Sequence, residues 1–323
     1  MRRRWLKRTL LLLGGALLVI AALLAYTFMP RTLDVDAYRA ETTTFHTDER
    51  PRELLPEVSL SLIKCGVMTS RQSFVYRGGS WGEPYESGMA AVLVRHPRAT
   101  FLFDGGFGRN LDEHIKTIPR LMRTLTTVDK EQPAAAQLEE GGISTDQIKM
   151  ILLSHFHWDH ISGAEDFPQS EVWLLKEEAD FIPTLPEDEL ARQMSPRLRL
   201  RPLELTDRPY ENFDRSLDLF EDGSVVLVAL PGHTPGSMGM FVNLRSGKRF
   251  FFTGDLTWAI EGVELPAERP WISRRLVDLD EEKVRLSIVR THLLSKRYPD
   301  MIVVPAHDRR VHNRIAIFPN AEK

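Results

Sequence analysis

The sequence predicts an α/β fold: two similar layers of sheet with helices outside them, preceded by an N-terminal transmembrane helix. Three observations predict it. Leu10 to Met29 is twenty residues without a charge, the length at which an α-helix matches the hydrocarbon core of a bilayer. Beyond it, short apolar runs of strand length recur, each bounded by Gly, Pro, Asn or Asp turn residues. In each half of that remainder several strand patterns come first and a helical pattern follows, with no fixed short repeat and no low-complexity tract.

The N-terminal segment divides from the rest by charge. Arg2, Arg3, Arg4, Lys7 and Arg8 precede the apolar run, and residues 1–30 contain no acid. A basic flank of this kind stays cytoplasmic and sends the carboxyl side outward, into the periplasm if the cell is bacterial. Tyr26 and Phe28 stand at the outer end, where aromatic rings suit the interface. No small-x-small cleavage site follows the run, so residues 1–30 read as an uncleaved anchor; the alternative is secretion after signal cleavage. Residues 31–56 mix charges, Thr42-Thr43-Thr44 and prolines, and read as a linker lifting the domain of residues 57–323 off the membrane.

Within that domain, Val58 to Lys64 alternates like a half-buried strand. Gly78 to Gly88 reads as a hairpin loop, followed by strands at Met89–Val94 and Thr100–Phe103. Leu111 to Val128 has helical spacing broken at Pro119. Ala134 to Glu140 reads as a helix ended by Gly141-Gly142, with Ser144 or Thr145 capping a short turn. Val172–Leu175 reads as a strand and Lys176–Ile182 as a helix. Pro183 to Pro209 reads as an irregular stretch. Ser224–Leu230, Met238–Val242, Arg249–Thr253 and Met301–Val304 read as strands. Asp280 to Lys296 reads as a helix: Asp280 caps it, Glu281 and Glu282 suit its first turn, and Lys296 and Arg297 its last.

Composition narrows the function. Hydrophobic residues make up 42%, enough for a large core. The formal net charge of −3 hides an asymmetry: without the five N-terminal cations, 37 basic residues face 45 acidic ones. An acidic domain repels polyanions, which argues against a nucleic-acid substrate. Cys65 is the only cysteine, so no internal disulfide forms and no cysteine cluster binds metal. It reads as a small apolar strand residue.

The chemistry concentrates after Ile151-Leu152-Leu153. There Ser154 leads into His155-Phe156-His157-Trp158-Asp159-His160, three imidazoles and a carboxylate within six residues. Neutral imidazole and carboxylate suit a borderline divalent metal such as zinc. His233, Asp255 and His307 each end another apolar run, and ligands at strand ends converge on one edge of a sheet. These seven residues suffice for two metals: His155, His157 and His233 on the first, Asp159, His160 and His307 on the second, and Asp255 bridging. Two dications about 3.5 Å apart repel by about 19 kcal/mol at an effective dielectric near 20, so Asp159, Asp255 and a bridging hydroxide must offset that charge. The hydroxide doubles as nucleophile. Asp104, in a turn, reads as a residue that orients an imagined ligand histidine through its distal N–H. His46, His96, His114, His292 and His312 read as surface or ordinary structural residues, and Trp158 as packing beside the metals.

From Val58 to Val311 the chain resembles the metallo-β-lactamase-fold hydrolase superfamily. The His-x-His-x-Asp-His block, the turn Pro231-Gly232-His233-Thr234-Pro235-Gly236 and Gly254-Asp255 carry the resemblance. It implies a four-layered αβ/βα sandwich with a dinuclear site in the cleft between its sheets. Asp255 separates the chain from true β-lactamases, which generally lack a bridging aspartate. Val92 to Gly106 and the 22-residue step from His233 to Asp255 resemble the N-acyl homoserine lactonase group. Those lactonases commonly carry a tyrosine three residues after the bridging aspartate; here Trp258 stands there and is the candidate substrate-binding residue, with one N–H to donate.

The expected activity is hydrolysis of a small-molecule lactone or related ester by a dinuclear zinc site, with Asp159 shuttling a proton to the leaving oxygen. Rival readings are a glyoxalase II-like thioesterase, a phosphodiesterase and a non-catalytic membrane-anchored metal-binding domain.

Overall fold

The computed structural model describes residues 2–47 and 50–323. The side chains of Arg2 and Arg3, part of the basic block, lie outside the described residues. Among the described residues, twelve strands follow the N-terminal helix Arg2–Phe28: β1 (Ser59–Arg71), β2 (Pro84–His96), β3 (Ala99–Phe103), β4 (Thr127–Lys130), β5 (Met150–Leu152), β6 (Glu171–Leu175), β7 (Arg199–Leu203), β8 (Ser216–Asp218), β9 (Val225–Ala229), β10 (Met238–Asn243), β11 (Arg249–Phe252) and β12 (Ile302–Val304). They form a seven-stranded sheet of order β4-β1-β2-β3-β5-β6-β7 and a five-stranded sheet of order β12-β11-β10-β9-β8.

Three apolar layers hold this together. Between the sheets, Leu60, Leu62, Val94 and Phe101 of the larger sheet meet Leu227, Met240, Val242 and Phe250 of the smaller. On the outer face of the larger sheet, Ile63, Leu93, Leu102 and Ile151 pack under Ala135 and Leu138 of the helix Ala134–Glu140. On the outer face of the smaller sheet, Val226, Val228, Phe241 and Phe251 pack under Val284, Ile288 and Leu294 of the helix Glu281–Arg297. The order is therefore helix, sheet, sheet, helix, as the period-two alternation of these strands requires when both faces are covered. Phe241 and Phe251 stack 3.9 Å apart, and burying each ring contributes roughly 2 kcal/mol.

The local signals mostly act as read. Asp280 caps its helix by accepting from the Lys283 N–H. Ser144 forms a capping box with Gln147. The helix Ala134–Glu140 has the expected bounds. Elsewhere tertiary pairing overrides the local pattern. Pro84–Gly88 belongs to β2, because Arg71 to Val67 of β1 pair with it. The Leu111–Val128 segment breaks into Leu111–His114, Ile115–Thr117 and Arg120–Leu125, and Thr127–Lys130 is drawn onto the edge of β1. The Pro183–Pro209 stretch holds a helix, Leu190–Met194, and β7. Pro202 is tolerated there because β7 is an edge strand.

The 31–56 segment does not stand clear of the domain. Leu33 N–H donates to the Pro266 carbonyl at 2.8 Å, His46 and Glu211 exchange backbone bonds at 2.7 and 2.9 Å, and Thr42 is fully buried with its carbonyl held by Asn212 Nδ2 at 3.1 Å. The segment is a strap across the smaller sheet's helix rather than a spacer.

The N-terminal helix includes one apolar stretch, Lys7–Phe28, long enough to cross a membrane, with none of its apolar window buried. A signal sequence has the same length and composition. Its last turn does touch the domain: Phe28 is buried against Phe74 and Trp81, with ring centroids 5.8 and 4.3 Å away.

Candidate metal centre

The carboxyl ends of β3, β5, β9, β11 and β12 gather at one edge of the sandwich. β3 and β5 run parallel in one sheet, and β11 and β12 run parallel in the other. The turns leaving them therefore meet across the gap between sheets, as ligand sites at strand carboxyl ends do. Ser154–His160 follows β5, His233 follows β9, Asp255 follows β11 and His307 follows β12.

Close backbone approach fixes these turns. Gly232 adopts φ +130°, and a Cβ there would lie 2.6 Å from the Val284 nitrogen; only glycine lets the His233 turn sit on the N-terminus of the helix Glu281–Arg297. Gly236 passes so close to Glu178 that a Cβ would meet its nitrogen at 2.4 Å. The buried Glu178 carboxylate accepts from Phe156 N–H at 2.7 Å, and from Thr234 Oγ1 and Gly236 N–H at 2.8 Å each. It thus ties the first histidine block to the His233 turn. Burial pushes this carboxyl up to about 7 against the pull of those three donors.

All seven sequence-derived ligand candidates converge. His155, His157, His233 and Asp255 place one ligand atom each within 4.8 Å of one another, and so do Asp159, His160 and His307. His157 Nδ1 lies 3.0 Å from His155 Nε2 and 2.9 Å from His233 Nε2. Asp255 stands between the groups: Oδ2 faces His233 Nε2 at 3.5 Å, while Oδ1 faces His307 Nε2 at 2.9 Å and His160 Nε2 at 3.2 Å. Asp159 Oδ2 approaches His307 Nε2 at 3.2 Å.

The donor set fits divalent cations. His160 Nε2 and Asp255 Oδ1 are buried with no hydrogen-bond partner, a costly state for polar atoms that a cation between them would relieve. Burial, with His160, His157 and His233 beside it, holds His155 neutral far below its ordinary range. Burial and His233 likewise take His157 down to about 3. A neutral imidazole presents the lone pair a metal needs. Around the second group the sign reverses. Burial opposes charge on His307, yet Asp255 and Asp159 raise it to about 9. Burial works to raise Asp255, but His307 and His160 hold it well below the usual carboxylate range. That half of the centre is an anionic pocket that demands positive charge.

An outer ring orients these side chains. Asp104 Oδ2 lies 2.9 Å from His160 Nδ1 and its Oδ1 accepts from Ser154 N–H at 2.7 Å, the role read for it in the turn. Ser154 Oγ lies 3.0 Å from His155 Nδ1. His307 Nδ1 lies 3.2 Å from the Gly88 carbonyl. His233 Nδ1 lies 2.8 Å from Asp278 Oδ1, which also accepts from Arg269 Nη1 at 2.8 Å; Arg269 reaches on to the Asp255 carbonyl. Asp278, Arg269 and Glu178 escaped the sequence reading. For Asp278 the available signal was an acid between apolar Val277 and Leu279, two residues ahead of a helix cap.

Chain positions 88–307 match the family model described as the Metallo-beta-lactamase superfamily. The chain belongs to this superfamily. A probable metallo-hydrolase of Mycobacterium tuberculosis is 30% identical over 293 residues, covering 84% of this chain and 86% of that protein. An N-acyl homoserine lactonase, AttM, of Rhizobium radiobacter is 23% identical over 79% of this chain and 94% of its own length. An N-acyl homoserine lactone hydrolase, solved with the product N-hexanoyl-L-homoserine at its catalytic metal centre, superposes with a TM-score of 0.67 at 18% identity, over 83% of this chain and all of that one. The chain is thus a metallo-β-lactamase-fold hydrolase with the αβ/βα sandwich expected of it.

The centre opens into a cleft of about 160 Å³. His157, Asp159, His233, Asp255 and His307 form its floor, and Met68, Phe74, Met122, Leu125, Ile272 and Leu276 its walls. Trp158 lines it and stacks on Phe107 at 5.3 Å. Trp258 also lines it, but its indole N–H donates to Asp255 Oδ2 at 2.7 Å. The donor expected to meet substrate is engaged by a carboxylate, which leaves the ring face for contact.

Proposed function

We propose that this hydrolase is a membrane-anchored, dinuclear-zinc enzyme that opens a lactone or a related neutral ester. His155, His157 and His233 would hold one ion, Asp159, His160 and His307 the other, with Asp255 shared. Bound there, two zinc ions supply Lewis acidity toward a carbonyl oxygen and lower the pKa of water toward 7. The chain's own residues do the rest. Asp255 keeps one oxygen toward each group, and Trp258 fixes its orientation. Asp159 faces the cleft and moves a proton to the leaving oxygen through its carboxylate. The apolar walls exclude water and seat an acyl chain.

The single observation that favours this substrate class is the lining of the cleft. Among the described residues it contains no lysine or arginine, while Glu189, Asp159 and Asp255 face it. A phosphodiester or an anionic glutathione thioester would enter with no counter-charge beyond the ions themselves. A neutral lactone carrying an acyl chain meets no such cost. The lactonase relatives support the same reading. Thr27 and Phe28 at the end of the N-terminal helix are buried against the domain, which supports an anchor that remains attached, and the basic block before the helix supports a domain outside the cytoplasm.

The deciding experiment is a panel of lactone, thioester, phosphodiester and β-lactam substrates on metal-replete protein. Lactone turnover is expected to lead. Turnover of the thioester or phosphodiester with an inert lactone would refute the substrate class, and full activity in Asp255→Ala would refute the mechanism.

A further inference from the structure

The cleft opens beside the point where the N-terminal helix meets the domain. Phe74 lines the cleft and packs edge-on against Phe28, the last residue of that helix. The Phe74 carbonyl accepts from Ser273 Oγ at 2.6 Å, on the cleft-lining helix Trp271–Val277. Arg77 reaches back to the Tyr26 and Met29 carbonyls, and Pro30 lies against Gly78. The outer end of a twenty-residue apolar helix is therefore fastened to one wall of the cleft. If that helix spans a bilayer, the lipid surface begins where the wall begins.

Half of the domain's exposed large apolar side chains stand at this opening. Beyond Met29, eight large apolar residues among those described are strongly exposed. Leu121 and Leu125 stand on the short helix Arg120–Leu125, and Trp271 and Leu276 on Trp271–Val277. These two helices flank the mouth, for Leu125 and Leu276 also line the cleft. Four exposed apolar side chains at one opening exceed the scatter expected on a water-facing surface. Arg120, Arg123 and Arg275 are exposed among them, although the domain as a whole is acidic. Apolar residues interleaved with arginine suit an interface of acyl chains and anionic headgroups.

We propose that the rim formed by these two helices rests on the phospholipid bilayer that the N-terminal helix spans, so that the cleft receives its acyl substrate laterally from the membrane surface. This rests on the anchored-hydrolase reading above and names where the substrate comes from. Continuity with the docked helix is what selects lipid over a protein partner. Long-chain neutral esters concentrate in such an interface, and a rim immersed in it shortens their path to the apolar walls.

Full-length protein in phosphatidylcholine–phosphatidylglycerol nanodiscs tests this. Cys65 is buried, so an introduced cysteine takes an environment-sensitive label selectively. Labels at Leu121→Cys and Leu276→Cys are expected to be quenched by doxyl-lipids, at least about two-fold more than one at Ser246→Cys. Ser246 lies in the exposed turn before β11, at the strand end away from Asp255. Co-elution with nanodiscs but no differential quenching would overturn the proposal and leave the anchor standing. Failure to co-elute would overturn both. A second measurement concerns uptake. In Leu121→Glu/Trp271→Glu, kcat/KM for N-dodecanoyl homoserine lactone in nanodiscs should fall roughly ten-fold, with N-butanoyl homoserine lactone unchanged. An equal fall for both would overturn lateral delivery. If neither lactone is hydrolysed, the substrate reading fails, and the labels still decide the contact face.

Discussion

Replacing Asp278 by Asn tests whether the outer ring sets metal affinity, one ion at a time. Asp278 accepts from His233 Nδ1 at 2.8 Å and from Arg269 Nη1 at 2.8 Å, and its side chain is only 2% exposed. Asparagine keeps the shape and one acceptor oxygen but removes the charge. A neutral partner makes the imidazole a poorer donor to metal, and losses at such positions run about 10–100-fold in affinity, or roughly 1.4–2.7 kcal/mol. The change also strips a buried guanidinium of its counter-ion. Breaking a buried pair costs about 3–5 kcal/mol; here the amide oxygen and the Asp255 carbonyl still accept from Arg269, so roughly 2–3 kcal/mol is expected. Asp104→Asn does the corresponding thing at His160. In zinc-buffered titrations read by metal analysis, each variant should weaken one of two ions by 10–100-fold and leave the other within about three-fold. Thermal unfolding should fall for Asp278→Asn. Two unaltered zinc affinities in both variants would refute the idea that these carboxylates govern the centre.

Glu178→Gln should destabilise the chain most at low pH. The native carboxyl sits at about 7 against an ordinary 4.5, so the stability linked to its proton is full below 4.5 and lost as pH rises through 7. The gap between parent and variant in unfolding free energy should therefore narrow by about 3 kcal/mol between pH 4 and pH 8; a constant gap would count against the assignment. Trp258→Phe keeps the ring that Arg269 covers at 4.6 Å and removes the N–H held by Asp255. A lost bond to a charged acceptor is worth roughly 1.5–3 kcal/mol, so kcat/KM should drop about 10–100-fold with metal content unchanged. Burial pushes the Cys65 thiol up to about 12, so a disulfide reagent at pH 8 should label one thiol per chain in guanidinium and essentially none in native protein.

The convergence of these side chains was legible because the candidates follow apolar runs, and the end of a strand is a place that sequence can mark. The structure brings all seven candidate positions together in two adjoining groups, with Asp104 against His160. The outer ring was not legible for a physical reason. Asp278 and Glu178 act through contacts 45 and 22 residues distant along the chain, and nothing local distinguishes a helix glutamate that turns inward from one in solvent. Three of the four edge strands were hidden likewise. β4, β7 and β8 are short, and β7 holds a proline; only pairing with a neighbour makes them strands. The strap misread as a spacer is polar in composition, and its burial depends on bonds to Asn212 and Glu211 that no window of sequence contains.

Drawing the candidate ligands from two sheets creates a mechanical demand that explains why a carboxylate is buried at Glu178. His155, His157, Asp159 and His160 ride on the larger sheet, and His233, Asp255 and His307 on the smaller. Apolar packing between sheets is non-directional and would tolerate small slides, yet a slide of even an ångström would separate the oxygens of Asp255 from the imidazoles they face. Directional bonds across the gap remove that freedom. Met238 N–H donates to the Ser154 carbonyl at 2.9 Å, and Glu178 gathers Phe156 from one side and Thr234 and Gly236 from the other. An apolar residue at 178 would leave the buried Phe156 and Gly236 N–H groups unpaired, each costing about 1–3 kcal/mol, while Thr234 Oγ1 would keep Ser237 Oγ at 2.7 Å. The desolvation of one carboxylate is the smaller cost, and it fixes the register that keeps Asp255 between the two groups of imidazoles.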